Sequence, residues 1–572
     1  MSSSVPRHDV IVVGSGLGGL TTAACLAACG RSVLVLEQHE MLGGCSQVFR
    51  RRKAWEFDVG VHYVGGCVPG SDGLIPTVLR GLGVEDRIAW SRMDDAGMDT
   101  VQLPEHAFRV PTSWEGLADN LAAAFPADAD GLRRCVAYLR LIGEGFDRIN
   151  DVPHAVGAML PLARRPLELA QIVRGLEQPI TALFARNGLS PQASAALVSL
   201  VHLHNTPPDR TPALLVAALL RHYFKAGAFF PTQGGQVLAA NLTEVIRSHG
   251  GAVRTKARVR SIDVVAGRVT GVTLDEGERI AADVVVSNAD AHRTFLDLVG
   301  PEHLKARTVR RIRRFERPHS IFSLYLAADI DLSATRPATN YVLHRRYDQQ
   351  TTFDLMDRGR WDPDGWLAIS SPTLKTGGVR HFGTPGHSSI EAFTTVPDDP
   401  AFWGGGDPYA GEDYEDRPAY QERKAEVEAV MLERTLEALP ELRGHVVWQE
   451  SATPQTHERY TLSRMPYGPL NSKEQIGPGR RLPVRTEIDG LYLAGASTVF
   501  LYGIAFTMRG GVGTASAIVG RDLMAAFHGG EVIADRAALP DHGPDWDPFF
   551  VCRRHAVKRG RARRDGEVVS AA

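Results

Sequence analysis

Cysteine is scarce: six residues in 572, none paired as C-x-x-C. A disulfide framework is therefore excluded as the basis of the fold, and reduced thiols in a cytoplasmic setting are expected. Nowhere do about 20 consecutive apolar residues occur, so no membrane-spanning helix is expected. The opening "MSSSVPRHD" lacks the charged head and apolar run of a secretory leader. Excess positive charge is also missing: 64 basic residues face 66 acidic ones, a formal net charge of −2. That excludes the broad positive field a nucleic-acid binder needs. No G-x-S-x-G elbow and no H-E-x-x-H occur, which removes two common hydrolytic chemistries. His202 and His204 with Asp209 lie beside the turn-forming "TPPDRTP", and no metal is expected there.

What is present is length and glycine. A chain of 572 residues exceeds the roughly 250 to 300 that one core supports, so at least two domains are expected. Asp9 to Val13 is an apolar run without alternation, the pattern of a strand covered on both faces. Gly14, Gly16 and Gly19 follow as G-x-G-x-x-G and open a run rich in Ala, Leu and Thr. Gly14 suits a sharp turn, Gly16 close approach of a pyrophosphate, and Gly19 tight helix–strand packing. Ser15, Leu17 and Gly18 complete the turn, and the helix N-terminus offers free N–H groups to phosphate. A second apolar strand, Ser32 to Leu36, ends at Glu37, followed by Gln38. A carboxylate there accepts both ribose hydroxyls and repels a 2′-phosphate, so NADP is disfavoured at this site. Strand, glycines, helix, strand and acid in that order predict a dinucleotide-binding unit. FAD and NAD both fit it.

The choice comes from three further stretches: Gly43-Gly44-Cys45 with "EFDVGVHYVGG", the block from "FFPTQGGQVLAANL" to "ADVVVSNADAH", and "ATPQTHERYTLSRMPYG" through "GLYLAGASTVFLYGIAFTMRGGVGTASAI". These resemble the flavoprotein family of phytoene desaturases, carotenoid isomerases and retinol saturases. The resemblance implies bound FAD. It also implies that Gly44 and Cys45 lie near the pyrophosphate, that the Val259 backbone meets the adenine, and that Gly495 packs on the pyrophosphate from the opposite side. Apolar residues at Val512, Ala515, Val519 and Leu523 predict a helix from Gly511, placing Gly510, Gly511 and Val512 at its N-terminus beside flavin N1/C2.

The expected fold class is α/β: a Rossmann-type FAD-binding domain with an interleaved α+β substrate domain, an amine-oxidase-like two-domain flavoprotein. Residues 1–80, 226–300 and 446–528 are assigned to the FAD-binding domain, and 81–225 with 301–445 to the substrate domain. Residues 529–572, rich in Pro, Asp and Arg, are expected to be a disordered basic tail. The apolar, arginine-bearing segment Ala155 to Leu176 is either a packed helix pair or a contact with a bilayer surface.

The implied chemistry is redox work on carbon–carbon double bonds of an apolar isoprenoid or polyene: desaturation, saturation or isomerisation. In such enzymes the flavin performs the redox step and catalytic side chains are few. His62 and Tyr63 in "EFDVGVHY" and Tyr460 in "HERYTLSRMPYG" are the candidate catalytic residues, with His62 delivering or removing a proton. Asp58 is expected to tie down its loop. Arg464 or Arg509 is a candidate for stabilising reduced flavin, or else forms a surface ion pair. Tyr502 and Phe506 line either a substrate channel or the core. With no second dinucleotide motif, NAD(P)H is expected only as a transient electron donor, with a quinone, oxygen or a partner protein as alternatives. Two rival readings remain. A flavin amine oxidase or protoporphyrinogen-oxidase-like enzyme would place an aromatic cage and a lysine above the flavin. A non-catalytic escort or carrier with the same fold would have lost FAD.

Overall fold

The computed structural model describes residues 5–150, 165–200, 205–378, 382–464, 467–477, 479–499 and 502–553. His202, His204, residues 155–164 of the arginine-bearing segment and residues 554–572 of the expected tail lie outside that set.

Strand Arg7–Val13 (β1), helix Leu17–Ala28 (α1) and strand Val33–Leu36 (β2) form the expected first unit. β1 pairs in parallel with β2 and with strand Arg279–Ser287, Val10 lying opposite Val33 and Val284. Covered on both faces, Val10 to Val13 are buried throughout, which is why the run shows no alternation. The sheet has seven strands. Ala252–Arg254 adds to β2, the antiparallel pair Val259–Val265 and Arg268–Leu274 continues beyond Arg279–Ser287, and Leu491–Leu493 joins Arg279–Ser287 in parallel. Three widely separated stretches of chain thus build one sheet.

A second seven-stranded sheet contains Asp99–Gln102, Ala107–Val110, Ser320–Ala328, Asn340–Leu343, Leu367–Ser370, Ser388–Val396 and Val446–Ala452. The last of these falls within the stretch expected in the nucleotide-binding part, but its pairing with Ser320–Ala328, Tyr325 opposite Glu450, puts it in the other sheet. Helices Trp114–Ala124, Ala129–Asn150 and Ala213–Phe224 surround an apolar core of their own. Helix Pro418–Ala438 buries Val427 and Met431.

The expected disorder beyond 528 does not hold for residues 529–553. Leu539, Phe549 and Cys552 are buried in the same core as α1, and the Leu42 N–H donates to the Cys552 carbonyl at 3.3 Å. Arg50 pairs with Asp547 at 2.6 Å. Composition alone concealed these few apolar anchors among polar neighbours.

Of the segment Ala155 to Leu176, the described part forms helix Pro166–Glu177. Ile172 is buried whereas Leu167 is 82% exposed, so the helix is packed on one side only. Among the described residues no helix is long and apolar enough to cross a membrane.

Candidate flavin and substrate cavity

At the end of β1, Gly14 turns with φ of +94°, and its N–H donates to the Leu36 carbonyl at 2.8 Å. A left-handed turn of this kind is open to glycine at little cost. Gly19 stands so close to the strand that a β-carbon would lie 2.4 Å from the Gly14 carbonyl, and it does not line the cavity. At Gly16 an added β-carbon would lie 2.7 Å from Asn288 Nδ2.

Glu37 is 8% exposed and is held in place by its own turn. Its Oε2 accepts from the Ser15 N–H at 2.9 Å and the Ser15 hydroxyl at 2.6 Å, while Oε1 accepts from the His39 N–H at 2.8 Å. The Gly43 N–H donates to the Ser15 carbonyl at 3.1 Å, and a β-carbon on Gly44 would lie 3.0 Å from Gly16 Cα. From the C-terminal stretch, Gly495 arrives with φ of +80°; a β-carbon on Gly18 would lie 2.7 Å from its nitrogen.

One cavity of about 720 Å³ connects these groups. Its lining includes Gly14, Ser15, Gly16, Leu17, Gly18, Glu37, Gln38, Gly43, Gly44, Cys45, Val259 and Gly495. His62, Tyr63, Tyr460, Tyr502 and Phe506 line it too.

Gly510, Gly511 and Val512 do not. The glycine-rich helix is Ile504–Val519, so these three residues lie in its interior. A β-carbon on Gly511 would lie 2.6 Å from the Gly18 carbonyl, and the Thr22 hydroxyl donates to the Gly511 carbonyl at 3.1 Å. The glycine pair therefore marks close approach to α1, although paired glycines ordinarily signal a helix boundary. The end that faces the cavity is Gly503, Ile504 and Ala505.

These residues fit FAD. The cradle is made of backbone that a β-carbon would obstruct, and a fixed carboxylate stands at the end of β2. The buried Asn288 Oδ1 has no hydrogen-bond partner at the same turn. Asn288 was not foreseen. It follows strand Arg279–Ser287, and its N–H donates to the Val13 carbonyl at 2.9 Å, so its position depends on sheet order rather than on any local motif.

The remaining lining is largely apolar and aromatic. The His62 ring stacks on Phe393 with centroids 4.2 Å apart, and its Nδ1 lies 3.3 Å from Glu391 Oε2. Lys375, 1% exposed, donates through Nζ to the His62 carbonyl and to Ser370 Oγ. Burial, reinforced by the Lys375 ammonium, lowers the His62 pKa to about 3. His62 is thus a neutral imidazole near pH 7 and no standing acid. Glu391 and Lys375 come from a region without recognisable motif, which is why their contacts with His62 were not anticipated.

Tyr63 stacks on Tyr223 with centroids 4.7 Å apart and donates to Asp99 Oδ2 at 3.0 Å. Burial and the Asp99 carboxylate raise its phenol well above the usual range, so it retains its proton. Asp58 accepts from the Gly235 N–H at 2.6 Å, the tethering role expected of it. Tyr460 requires a correction. It is 47% exposed, its ring meets His39 edge-on with centroids 5.1 Å apart, and its carbonyl accepts from Gln38 at 2.8 Å. It therefore stands beside the residues that follow Glu37, at the nucleotide end, which argues against catalysis. Arg464 pairs with Asp407 and does not line the cavity, the surface-pair alternative.

Comparison with known proteins agrees with this architecture. The all-trans-retinol 13,14-reductase of Rattus norvegicus is 26% identical over 91% of this chain and 87% of its own length. The chloroplastic prolycopene isomerase of Arabidopsis thaliana is 26% identical over 86% of this chain and 79% of its own. A putrescine oxidase structure superposes with a TM-score of 0.57 at 16% identity, covering 90% of this chain and all of that one, a likeness of fold alone. Residues 17–320, more than half of the chain, match the family described as flavin containing amine oxidoreductase, and the chain belongs to that family.

Proposed function

We propose that this protein is an FAD-dependent oxidoreductase that desaturates, saturates or isomerises carbon–carbon double bonds of an apolar isoprenoid or polyene. The observation that carries the reading is the character of the cavity beyond the glycine cradle. Phe146, Leu215, Leu219, Trp366, Phe393 and Ile476 line it. Among the described residues no lysine lines it, and Glu37 and Asp290 are its only carboxylates. A cationic amine gains little in such a wall, whereas burial of a hydrocarbon contributes about 25 cal/mol per Å². The names of the two curated relatives support the same substrate class.

FAD, when bound, supplies the redox chemistry of hydrogen transfer. The chain's own residues bind it, orient the substrate and exclude water. Glu37, Gly14 to Gly18, Gly43 to Cys45, Asn288, Val259 and Gly495 hold the nucleotide. His62, fixed by stacking on Phe393, accepts a proton at its ring, with the Glu391 carboxylate 3.3 Å from Nδ1 to offset the charge that forms. Tyr63 and Tyr223 form a fixed wall. For saturation, electrons enter from a reductant that docks transiently, NAD(P)H being the expected one; for desaturation they leave the reduced flavin to an acceptor such as a quinone, oxygen or a partner protein. Leu167, exposed on helix Pro166–Glu177 between Arg165 and Arg174, supports a peripheral contact with a bilayer surface on the cytoplasmic side.

The test is anaerobic and has two arms: photoreduced flavin receives carotenoids or retinoids, and oxidised flavin receives amines. Reoxidation or isomer conversion with a polyene, and no flavin reduction by amines, is expected. Flavin that responds to amines and to no polyene would overturn the reading.

A further inference from the structure

Arg481 is a buried cation with most of its guanidinium uncompensated. It is 2% exposed, and its Nη2 donates to the Pro469 carbonyl at 2.7 Å, the Leu470 carbonyl at 3.2 Å and Asn471 Oδ1 at 2.5 Å. Nε and Nη1 have no hydrogen-bond partner. Among the described residues no carboxylate pairs with it, in contrast to its neighbour Arg480, which pairs with Glu177 at 2.7 Å. Burial lowers its pKa to about 10, so it is still charged near neutrality. A buried charge is ordinarily paired, because leaving water without compensation costs several kcal/mol per ion. Arginine at such a position is suited to recognise carboxylates and phosphates.

Arg481 lines the cavity together with Ile476, Gly477 and Leu176. Tyr502, also in the lining, is the one nearby group that raises the Arg481 pKa. We propose that Arg481 is the anchor for an anionic end group, a carboxylate on an otherwise apolar chain, so that the substrate is a polyene or isoprenoid acid. The inference rests on the apolar-cavity reading above and adds to it the polar terminus. The carboxylate would complete the guanidinium's hydrogen bonding, and its charge would be offset where water is excluded. The hydrocarbon would extend along the apolar lining. A hydrocarbon without an end group would leave Arg481 as it is, and an alcohol would offset no charge.

The experiment uses the full chain loaded with FAD and follows perturbation of the flavin spectrum on titration. The probes are all-trans-retinoic acid, all-trans-retinol and palmitic acid. In the unaltered protein the acid is expected to bind at least ten-fold more tightly than the alcohol. In Arg481→Met that preference is expected to vanish through weakening of the acid alone, with retinol affinity within two-fold. Arg481→Lys retains the charge and is expected to retain part of the preference. Should Arg481→Met fail to fold, the acid-to-alcohol ratio of the unaltered protein decides.

Equal binding of acid and alcohol overturns the proposal, as does equal weakening of both in Arg481→Met. So does a change in flavin midpoint potential in Arg481→Met with the acid preference intact, which would assign the guanidinium to the flavin. Arg481-dependent binding of palmitic acid without turnover or isomerisation of any polyene would support the anchor while counting against the polyene chemistry. Failure of both acids to bind, with retinol still converted, would do the reverse.

Discussion

Substitution of Gly511 by alanine probes the contact that unites the two ends of the chain. The new β-carbon would stand 2.6 Å from the Gly18 carbonyl, 2.8 Å from Thr21 Cβ and 3.1 Å from the Thr22 nitrogen. Two of these are backbone atoms of α1, so no side-chain rotation relieves the clash, and the helices must separate by a few tenths of an ångström or more. Overpacking of this kind costs about 1–3 kcal/mol. Strain on the Thr22 hydroxyl bond to the Gly511 carbonyl adds about 1 kcal/mol, and the helical preference of alanine over glycine returns about 1 kcal/mol. The net cost is about 1–3 kcal/mol. Because Gly18 lines the cavity, this cost is expected to fall largely on FAD binding, with a rise in Kd of about five-fold or more. Titration of apoprotein with FAD, followed by quenching of flavin fluorescence, measures it. Gly543→Ala serves as the control, since nothing lies within 4 Å of its added β-carbon. Unchanged FAD affinity and unchanged thermal stability in Gly511→Ala would refute the close contact of the two helices.

Acid sensitivity is a second expectation. His62 has a folded-state pKa of about 3 against an ordinary 6.5, so the unfolded chain binds more protons between those values. Stability is therefore flat above pH 7 and falls as pH drops from 6.5 toward 3, on the order of 4 kcal/mol from this group alone. His222 and His457, both lowered by burial to about 4, act in the same direction. Urea midpoints measured from pH 8 to pH 4 check this, and His62→Gln is expected to flatten the acid side; a midpoint constant down to pH 4 would contradict it. Truncation after residue 528 is a third: it uncovers the core that holds Leu539, Phe549 and Cys552. Loss of soluble protein, or a melting temperature lower by several degrees, is expected. A truncated chain as stable as the full one would show that the segment contributes no packing.

The parts of the fold visible in the sequence are those in which local pattern and tertiary role coincide. β1, α1 and β2 follow from an apolar run, spaced glycines and Glu37, because each feature acts within about 30 residues. Where local and tertiary demands diverge, the reading failed. Gly510 and Gly511 satisfy a helix–helix contact, and local rules mistake them for a helix start. Strand Val446–Ala452 is recognisable as a strand, yet which sheet it joins depends on Ser320–Ala328, far away in the chain. Glu391, Lys375 and Arg481 carry no periodicity and no motif, and Asn288 lies in a recognisable block without any local sign of its role. Each acquires its role from residues that only the assembled sheets bring near.

The central claim is that three distant stretches converge to hold one FAD, and the most direct measurement is stoichiometric FAD binding by the purified chain and by Gly16→Val. The first branch carbon at that position would meet Asn288 Nδ2 at 2.7 Å, and the remainder of the side chain would occupy the cradle. The unaltered chain is expected to bind one FAD, and the variant to remain colourless after FAD is added. A yellow variant with affinity equal to that of the parent, or a parent that takes up no flavin, would contradict the account.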